Sequence, residues 1–386
     1  MLIDKISFFT NMFMYQIFLP LLYFVCSRKP VDNNKVVFYA SQHKTVHPNM
    51  THIIAKLKET RPQTKCVVLV SDIRKESLIV QYKTFINFIK EMSNAGYVYL
   101  IDIALPVSAV RLRKETSVIQ LWHACGAFKL WGYSTLKREG WHTSKYRAML
   151  LPYYRNITHV PVSSPDVVPH YAEAFNIDIA KVLPLGVPRT DMFFQKDYLK
   201  SSAEKIRSLF PEINGRTIIL FCPTFRGLRA KDARYPYIED VYSTARKLGT
   251  RFVIILKMHP WVKEFSIPED LKNTIFSCGS ATDINQILGG CDILVTDYSS
   301  VIFEYSLFGK PAVFFSPDHK EYTNGRGFYY DYKTFIPGPL AETSAELVQI
   351  LEKNQYDAAM MSHFKEKFMK SCDGHSSERI ISMIMK

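Results

Sequence analysis

The feature that most constrains this chain is a repeated alternation of short apolar runs with longer amphipathic stretches. The runs KVVFYAS, CVVLVSD, YVYLID and VIQLWHA are rich in β-branched and aromatic residues, as buried strands are. The stretches THIIAKLKET and LIVQYKTFINFIKEMSNAG between them carry apolar residues at helical spacing. This alternation predicts βαβ units and therefore a doubly wound parallel sheet.

A polar, charged stretch at residues 195–216 separates this series from a second one, which contains TIILFCPTFRG, RFVIILKMHP, DILVTDYSS and AVFFSP. We therefore predict an α/β protein with two domains, residues 31–195 and residues 196–386, the second of which ends in a C-terminal helix. The 386 residues, 47% of them hydrophobic, are enough for two packed cores. Ligands bind at the carboxyl ends of strands in such sheets, so we expect polar strand ends to face a cleft between the domains.

Residues 1–30 have a different composition. The sequence is apolar and aromatic from Met12 to Cys26 and then basic at Arg28 and Lys29. It lacks the small-residue cleavage pattern of a signal peptide, and it is short and interrupted by polar residues and a proline for a transmembrane helix. We predict a membrane-associating segment that lies in the interface, with a helix docked on the protein core as the alternative.

The chain carries 49 Lys and Arg against 36 Asp and Glu, which gives a formal net charge of +13. Such an excess predicts an anionic partner, and acidic lipid or a phosphorylated substrate ranks above nucleic acid because no zinc-knuckle or RNP-like motif occurs. The seven cysteines are odd in number and have no CxxC spacing. They predict reduced thiols in a cytosolic protein.

Two histidines follow predicted strands. His123 lies in LWHACGAFKLWGYS, where Gly126 allows a tight turn and Lys129 and Lys137 add positive charge. A histidine at such an edge can act as a general base, although a hydrogen-bonded strand cap is the alternative.

The second histidine lies in IILKMHPWV, where an apolar strand ends at Lys257 and His259 and the next residue is a proline. If both histidines face the cleft, they form a pair, one from each domain. Neither has a neighbouring metal ligand in the sequence, so no metal site is predicted.

Loops after two further strands carry arginines suited to phosphate. Pro223, Thr224 and Arg226 follow the strand TIILFC, and Arg189 lies in LGVPRTDMF. Arginine makes bidentate contacts to phosphate, whereas a single arginine on a loop is more often solvated.

The block TDYSS lies where the strand DILV ends and a helix is predicted to begin. Ser299 and Ser300 place hydroxyl groups beside the backbone N–H groups of a helix start, which together favour a phosphate. Asp297 would order the turn, and Glu304, one helical turn later, can accept hydrogen bonds from sugar hydroxyls. No P-loop or dinucleotide fingerprint accounts for this block.

In this order, the blocks resemble the CDP-glycerol glycerophosphotransferase family, the teichoic acid primases and polymerases. The matching segments are HACGAFK, GVPRTD, PTFR, KMHP and TDYSS with the acidic residue that follows it. The resemblance covers about residues 35–315. One departure is Ala124–Cys125, where many polymerases carry Gly-Thr, and it bears on the subgroup rather than on the chemistry.

The resemblance implies a glycosyltransferase-B-type fold of two Rossmann-like domains and peripheral attachment to the cytoplasmic face of the cell membrane. It implies transfer of glycerol phosphate or ribitol phosphate from a CDP-activated donor to a hydroxyl of a lipid-linked anionic acceptor, with release of CMP and with no cofactor. It makes His123 and His259 the catalytic pair and assigns acceptor phosphate contacts to Lys129 and Lys137. The donor-binding residues that it implies are Gly126, Arg189, Pro223, Thr224, Arg226, Lys257, Thr296, Asp297, Ser299, Ser300 and Glu304.

Two other functions are compatible with the composition and the predicted fold. A glycosyltransferase of the same fold would use a nucleotide-sugar, and a non-catalytic binder of anionic polymer at the membrane surface would use the positive charge alone. The two strand-end histidines argue against the binder. The sequence leaves open which polyol phosphate is moved, whether one unit or many are added, and whether the chain self-associates.

Overall fold

The computed structural model describes residues 10–136, 152–213, 215–227, 230–279 and 281–385, and every named strand pair in it is parallel. The strands are β1 Asp32–Ala40, β2 Lys65–Val70, β3 Ala95–Leu100, β4 Ser117–Gln120, β5 Val160–Pro161, β6 Val182–Leu183, β7 Thr217–Cys222, β8 Phe252–Leu256, β9 Ile275–Ser277, β10 Ile293–Thr296, β11 Ala312–Phe315 and β12 Leu340–Ala341. The α-helices are α1 Leu19–Cys26, α2 Pro48–Thr60, α3 Leu78–Met92, α4 Leu105–Ala109, α5 Val168–Phe175, α6 Tyr198–Leu209, α7 Ile238–Leu248, α8 Val301–Ser306, α9 His319–Arg326, α10 Tyr332–Phe335, α11 Ser344–Lys353, α12 Ala358–Met369 and α13 Ser376–Ile384.

The chain folds into two compact units whose division differs from the predicted domains in two segments. Unit 1 consists of Met1–Ala124, Trp131–Asp191 and Ser371–Lys386, and unit 2 consists of Cys125–Leu130 and Met192–Lys370. The main division lies close to the predicted boundary after residue 195. Two segments, however, depart from sequence order. Cys125–Leu130, just after His123, belongs to unit 2, and Ser371–Lys386, which contains the C-terminal helix, belongs to unit 1.

Unit 1 contains a four-stranded sheet in the order β2-β1-β3-β4, and the short β5–β6 pair continues it through a bridge between Ile119 and His159. Side chains of β1 alternate between two cores. Val36 and Phe38 pack with α2 and α13, and Val37 and Tyr39 pack with α1 and α3. Because successive strand residues point to opposite faces, this alternation shows that both faces of the sheet are covered, as the apolar runs predicted.

The C-terminal helix α13 packs in unit 1, where a carboxylate distant in the sequence caps it. The Oδ1 and Oδ2 atoms of Asp191 accept hydrogen bonds from the backbone N–H groups of Ser376 (2.9 Å) and Ser377 (2.8 Å). Ile380 and Ile384 of α13 then join the core beside α2. Sequence order placed this helix in the second domain. The capping bond could not be read from the sequence, because Asp191 and Ser376 are too far apart to form a local pattern.

The N-terminal helix has one buried and one exposed apolar face. Leu19 and Tyr23 of α1 are buried against α3. The π-helical turn Met14–Phe18 leads into α1, and the two together form the N-terminal helix. On its other side the exposed fractions are 56% for Ile17, 59% for Leu21 and 62% for Phe24. The alternative prediction, a helix docked on the protein core, therefore holds for the inner face of this helix. Its outer face is exposed and can contact another surface. Within the described ranges, no helix has both the length and the apolar character needed to cross a membrane.

Unit 2 contains a six-stranded sheet in the order β12-β11-β10-β7-β8-β9. Read from β9, this is the 3-2-1-4-5-6 order of a dinucleotide-binding fold, in which the chain direction across the sheet reverses between β7 and β10. The carboxyl ends of these two central strands lead into the PTFR and TDYSS blocks. The parallel, doubly wound prediction is thus confirmed for this half of the chain, and the two blocks lie at the position where ligands bind in such sheets. All seven cysteines lie among the described residues, and all are free of disulfide bonds.

Candidate active site

In unit 1, three neighbouring strands place titratable side chains at one edge of the sheet. His43 follows β1, Asp102 follows β3 and His123 follows β4. The Oδ1 atom of Asp102 lies 3.5 Å from Nε2 of His43 and 3.9 Å from Nδ1 of His123. The other carboxylate oxygen accepts a hydrogen bond from the backbone N–H of Gln42. Asp102 therefore lies between the two imidazoles, and its charge favours a proton on the His123 nitrogen that faces it.

The surroundings of His123 favour the neutral imidazole. Although 47% of its side-chain surface is exposed, desolvation by the atoms around the ring lowers its pKa below the ordinary value, and the charges of Arg189 and His43 lower it further. Asp102 opposes this shift, as does a hydrogen bond with the backbone of Ile101. A neutral histidine with one nitrogen turned to a carboxylate can accept a proton at the other nitrogen.

We call His43, Asp102 and His123 the histidine group. Arg189 belongs to the same unit as this group, whereas the TDYSS block belongs to unit 2. Its side chain is 94% buried, as its exposed fraction of 6% shows, and its backbone N–H donates to Oδ1 of Asn49 (3.0 Å). The backbone N–H of Asn49 in turn donates to Nδ1 of His47 (3.2 Å). Burial and the charge of Arg189 lower the pKa of His47 to about 2, so this histidine is neutral at physiological pH.

In unit 2, one buried carboxylate joins the loops after β7 and β10. Asp297 is fully buried, and its Oδ1 accepts a hydrogen bond from the backbone N–H of Thr224 (2.7 Å). Its Oδ2 accepts from Nη1 of Arg226 (2.9 Å). These bonds confirm that Asp297 orders the turn, since it ties the PTFR block to the TDYSS block.

Arg226 is held on all sides by this unit. Its Nε and Nη2 atoms donate to the two carboxylate oxygens of Asp318 (2.6 and 2.9 Å), and the rings of Tyr298 and Tyr322 lie 5.1 and 4.9 Å from the guanidinium carbon. Together with Asp297 and the Thr224 carbonyl, these partners engage every guanidinium nitrogen. Arg226 therefore holds the two loops together, and its direct contact with a phosphate stays a prediction.

Replacing Arg226 with methionine is expected to lower the free energy of unfolding by about 3–5 kcal/mol, because the buried Asp297 and the partly buried Asp318 would lose their cation. Urea denaturation measures the change. Arg246→Met is the matched control, since that arginine makes a similar pair with Asp270 at an exposed position, and its loss is expected to change stability much less because solvent screens the pair. Equal losses for the two variants would show that the Arg226 pairs contribute no more than a surface pair.

The side chains of the TDYSS block divide into a buried and an accessible group. Thr296 is buried and donates to the carbonyl of Cys222 (2.7 Å), and Glu304 is 6% exposed. Ser299 and Ser300 are partly exposed, and the Ser299 hydroxyl accepts from the backbone N–H of Val301 at 3.4 Å. Helix α8, which follows them, has only six residues. A helix this short gives a weaker N-terminal field than the sequence suggested, so a phosphate there would depend on the hydroxyls and individual N–H groups.

The second motif histidine is held in one tautomer. Nδ1 of His259 accepts a hydrogen bond from the backbone N–H of Trp261 (3.2 Å), so the proton of the neutral ring is on Nε2. Burial lowers the pKa of His259 to about 4, and the charge of Lys129 contributes to the shift. Lys129 therefore lies within electrostatic range of His259 in unit 2. Lys257, two residues earlier, donates from Nζ to the carbonyl of Gly279 (2.8 Å) and so fixes a loop.

Gly126 is required by its surroundings. Its φ is +60°, and a Cβ placed there would come within 2.1 Å of the ring of Phe303 in α8. The segment after His123 thus packs directly on the helix that follows TDYSS, and the aromatic ring of Phe128 in the same segment stacks on Phe335 at 4.2 Å. The glycine serves this close approach, which a side chain would prevent.

The structure groups the predicted residues by unit. His123 and Arg189 lie in unit 1, and the remaining described residues of the prediction lie in unit 2, where Pro223 is buried beside the Asp297 loop. Lys137 lies outside the described residues. That the two histidines face one cleft stays a prediction. Across the described parts of the chain, no three His, Cys, Asp or Glu side chains are grouped closely enough to hold a metal ion.

Sequence reasoning missed several residues of these groups. Asp102 follows the run YVYLI and Asp318 follows AVFFSP, so each lies just beyond a strand. The rule that selected His123 and His259 would also have selected these two aspartates. The role of Asn49 has no such signal, because it depends on backbone groups of Trp122 and Arg189, which are far away in the sequence.

Comparison with known proteins gives the family. The model of the family CDP-Glycerol:Poly(glycerophosphate) glycerophosphotransferase matches residues 21–386. The teichoic acid poly(ribitol-phosphate) polymerase of Bacillus spizizenii is 34% identical over 92% of this chain, and the match spans 57% of that polymerase. The ribitol-phosphate primase of the same organism is 32% identical, with 92% of each chain covered. The glycerol-phosphate primase of Bacillus subtilis is 27% identical over 80% of this chain and 79% of its own.

A solved structure has the same fold. The wall teichoic acid polymerase TagF, in a variant soaked with CDPG, superposes with a TM-score of 0.78 over 95% of this chain and 92% of its own, at 20% identity. The parallel α/β fold is thus shared, and the family that the motifs resembled is confirmed by a match to nearly the whole sequence. The chain belongs to the CDP-glycerol:poly(glycerophosphate) glycerophosphotransferase family.

Proposed function

We propose that this protein is an enzyme that transfers a polyol phosphate from a CDP-activated donor to a hydroxyl of a lipid-linked teichoic acid acceptor and releases CMP. The observation that carries the proposal is the position of the PTFR and TDYSS blocks at the strand-order reversal of the unit 2 sheet, where nucleotides bind in this type of sheet. The glycosyltransferase-B-type assignment of the fold and the absence of a cofactor belong to the same proposal.

In the proposed reaction, His123 is the general base. The acceptor hydroxyl oxygen attacks the β-phosphorus of the donor, its proton passes to Nε2 of His123, and the bond between the β-phosphorus and the oxygen of the departing CMP breaks. Asp102, 3.9 Å from Nδ1, favours the tautomer whose Nε2 lone pair faces outward and stabilises the imidazolium that forms.

His259 has a different role from His123. Because its Nδ1 accepts the Trp261 N–H, the neutral ring presents Nε2–H as a hydrogen-bond donor. We assign this donor to an oxygen of the transferring phosphate, where negative charge develops in the transition state. Lys129, whose charge acts on His259, would bind the same phosphates.

The donor itself is assigned to the accessible residues of the TDYSS block. Ser299 and Ser300 are partly exposed and carry hydroxyls that can bind the diphosphate, whereas Asp297 has its oxygens engaged and carries a charge that repels phosphate. Glu304 is assigned to the ribose or to the order of the loop around it. In this arrangement Arg226 and Lys257 support the donor site by holding its loops in place.

Ribitol phosphate is the polyol phosphate that we propose. The two relatives named for ribitol phosphate are 34% and 32% identical to this chain, and the relative named for glycerol phosphate is 27% identical. Discrimination between polyols of different length needs contacts along the chain of hydroxyls, so it follows the residues around the site rather than the shared motifs.

Incubation of the purified protein with CDP-ribitol or CDP-glycerol and a lipid-linked acceptor tests the proposal, with CMP release and product mass as readouts. We expect CDP-ribitol to give a kcat/KM at least about 10-fold higher than CDP-glycerol, a ratio within reach of a few hydroxyl contacts. A higher value with CDP-glycerol would overturn the ribitol assignment alone. Turnover of a nucleotide-sugar with no reaction of either CDP-polyol would favour the glycosyltransferase alternative.

We also propose that the protein is peripheral at the cytoplasmic face of the cell membrane and that the outer face of the N-terminal helix makes the contact. Ile17, Leu21 and Phe24 are exposed on this face, and Arg28 and Lys29 follow it. Burying each large apolar side chain contributes about 1.5–3 kcal/mol. Each basic residue near an anionic leaflet adds about 1 kcal/mol.

The double variant Leu21→Asp/Phe24→Asp is expected to lose binding to vesicles that contain anionic lipid, while its fold is retained because both side chains point away from the core. Co-flotation with vesicles measures the binding. Ile179→Asp, at a residue of unit 1 that is 54% exposed, is the control and should bind as the unchanged protein does. Unchanged binding of the double variant would assign the attachment to the basic surface of the α/β units.

A further inference from the structure

The residue that precedes His123 has an unfavourable backbone conformation. Trp122 has a φ of +55°, in the left-handed region. Among the described residues, the other non-glycine positions with positive φ are Asn176 and Asn354, and asparagine tolerates this region far better than tryptophan. Such a conformation is strained for a tryptophan and persists only where its surroundings enforce it. The residues that hold Trp122 in this conformation therefore also determine the position of His123, the next residue in the chain.

One buried amide holds the N–H of Trp122. Gln120, the last residue of β4, is fully buried. Its Oε1 accepts a hydrogen bond from the backbone N–H of Trp122 (3.1 Å), and its Nε2 donates to the backbone carbonyl of Asp102 (3.0 Å). The same side chain thus connects the two loops that carry His123 and the carboxylate beside it.

A second buried amide holds the carbonyl of Trp122. Asn49, near the start of α2, is fully buried, and its Nδ2 donates to the backbone carbonyl of Trp122 (2.9 Å). Its Oδ1 accepts from the backbone N–H of Arg189 (3.0 Å). The backbone N–H and carbonyl of Trp122 are therefore each bonded to a buried side-chain amide. Each amide also bonds a second loop, Gln120 the loop of Asp102 and Asn49 the loop of Arg189.

The indole ring adds a third restraint. It stacks on the imidazole of His123, with ring centroids 4.2 Å apart, and on the indole of Trp131, with centroids 4.5 Å apart. Rotation of the Trp122 backbone out of the left-handed region would move this ring and the histidine that follows it. The backbone conformation of Trp122 and the position of the His123 imidazole are coupled.

We infer that Gln120 and Asn49 are positioning residues that hold Trp122 in its left-handed conformation and so place the His123 imidazole for proton transfer. The inference rests on the proposed role of His123 as the base. Neither amide is expected to contact the acceptor or the donor, because both are buried. Their removal should therefore slow the chemical step and leave donor affinity unchanged.

The test uses Gln120→Met and Asn49→Leu, which keep the side-chain volume and remove the hydrogen bonds. Each is expected to lower kcat by about 10-fold to 100-fold, the effect of displacing a catalytic group by up to about 1 Å. The Kd for CDP-ribitol, measured by titration calorimetry, should not change. Asn156→Leu is the matched control. That amide donates to the carbonyls of Val107 and Val110 (2.7 Å each) in the same unit, away from Trp122, so its loss should affect stability without a selective loss of kcat.

If the two larger substitutions prevent folding, Asn49→Ser provides the measurement, since serine is favourable at a helix start but too short to bridge Trp122 and Arg189. A folded Asn49→Ser protein with the kcat of the unchanged protein would overturn the inference, as would normal kcat in folded Gln120→Met and Asn49→Leu. The His123→Ala variant separates this result from a failure of the proposed function. Normal turnover by His123→Ala would refute the assignment of His123 as the base. An inactive His123→Ala protein together with fully active amide variants would refute only the positioning role of Gln120 and Asn49.

Discussion

Replacing His123 with alanine is expected to lower turnover by about 10²-fold to 10⁴-fold, the usual contribution of a positioned general base. The acceptor hydroxyl would then lose the group that takes its proton, and water cannot replace an imidazole fixed beside Asp102. CMP release from CDP-ribitol measures the loss. Affinity for the donor should be kept, because the residues assigned to the donor lie in unit 2. His159→Ala, at a histidine of the same unit whose ring bonds Thr158, is the control.

The pH dependence of turnover provides a second readout for His123. The base is active when neutral, and its pKa is lowered by desolvation and by the charges of Arg189 and His43. Activity is therefore expected to persist as the pH falls below 6.5, the ordinary pKa of histidine, and to decline only at more acidic pH. The residual turnover of His123→Ala should lack this decline. Near-normal CMP release by a folded His123→Ala protein would contradict the assignment.

The second large effect is expected at His259. Replacing it with alanine should lower kcat by about 10²-fold to 10³-fold, the effect of removing one donor that stabilises a developing negative charge. The physical reason is the tautomer, since the Trp261 N–H occupies Nδ1 and leaves Nε2–H for the phosphate. Single-turnover measurements with saturating CDP-ribitol separate this effect from weaker donor binding.

A glutamine at position 259 distinguishes hydrogen-bond donation from proton transfer. His259→Gln retains a neutral N–H donor but cannot take up or release a proton near pH 7. If His259 acts as a donor, the glutamine variant should recover part of the turnover lost in His259→Ala. Identical losses in the two variants, together with a change in the acid side of the pH profile, would instead make His259 an acid–base group.

Much of the fold was predictable because its signals are local. The apolar runs that predicted strands correspond to β1, β2, β3 and β7 among others, and the alternation with helices predicted that they are parallel. The strand order was not predictable in this way. It depends on which buried faces meet, as in unit 2, where β10 lies beside β7 and not beside β9. The placement of α13 in unit 1 likewise involves a cap by the distant Asp191.

The candidate site shows the same limit. Strand ends are visible in the sequence, and the resemblance of their motifs to a known family led to His123, His259 and the TDYSS block. What each side chain contacts was not visible. Arg226 and Lys257 have the charge of phosphate ligands, yet Asp318 and the Gly279 carbonyl engage them. Asp102 and Asn49 were missed because a single sequence does not show that three loops converge.

The sequence alone determined the class of fold, the family and the residues at the strand ends, because periodicity and motif spacing are properties of neighbouring residues. Only the tertiary structure decided which of these residues are engaged and which protonation state their surroundings favour. His259 illustrates the reason. Its tautomer follows from one backbone N–H, and its pKa is lowered by burial and by the charge of Lys129. The fold brings Lys129 within electrostatic range of His259 from far away in the sequence.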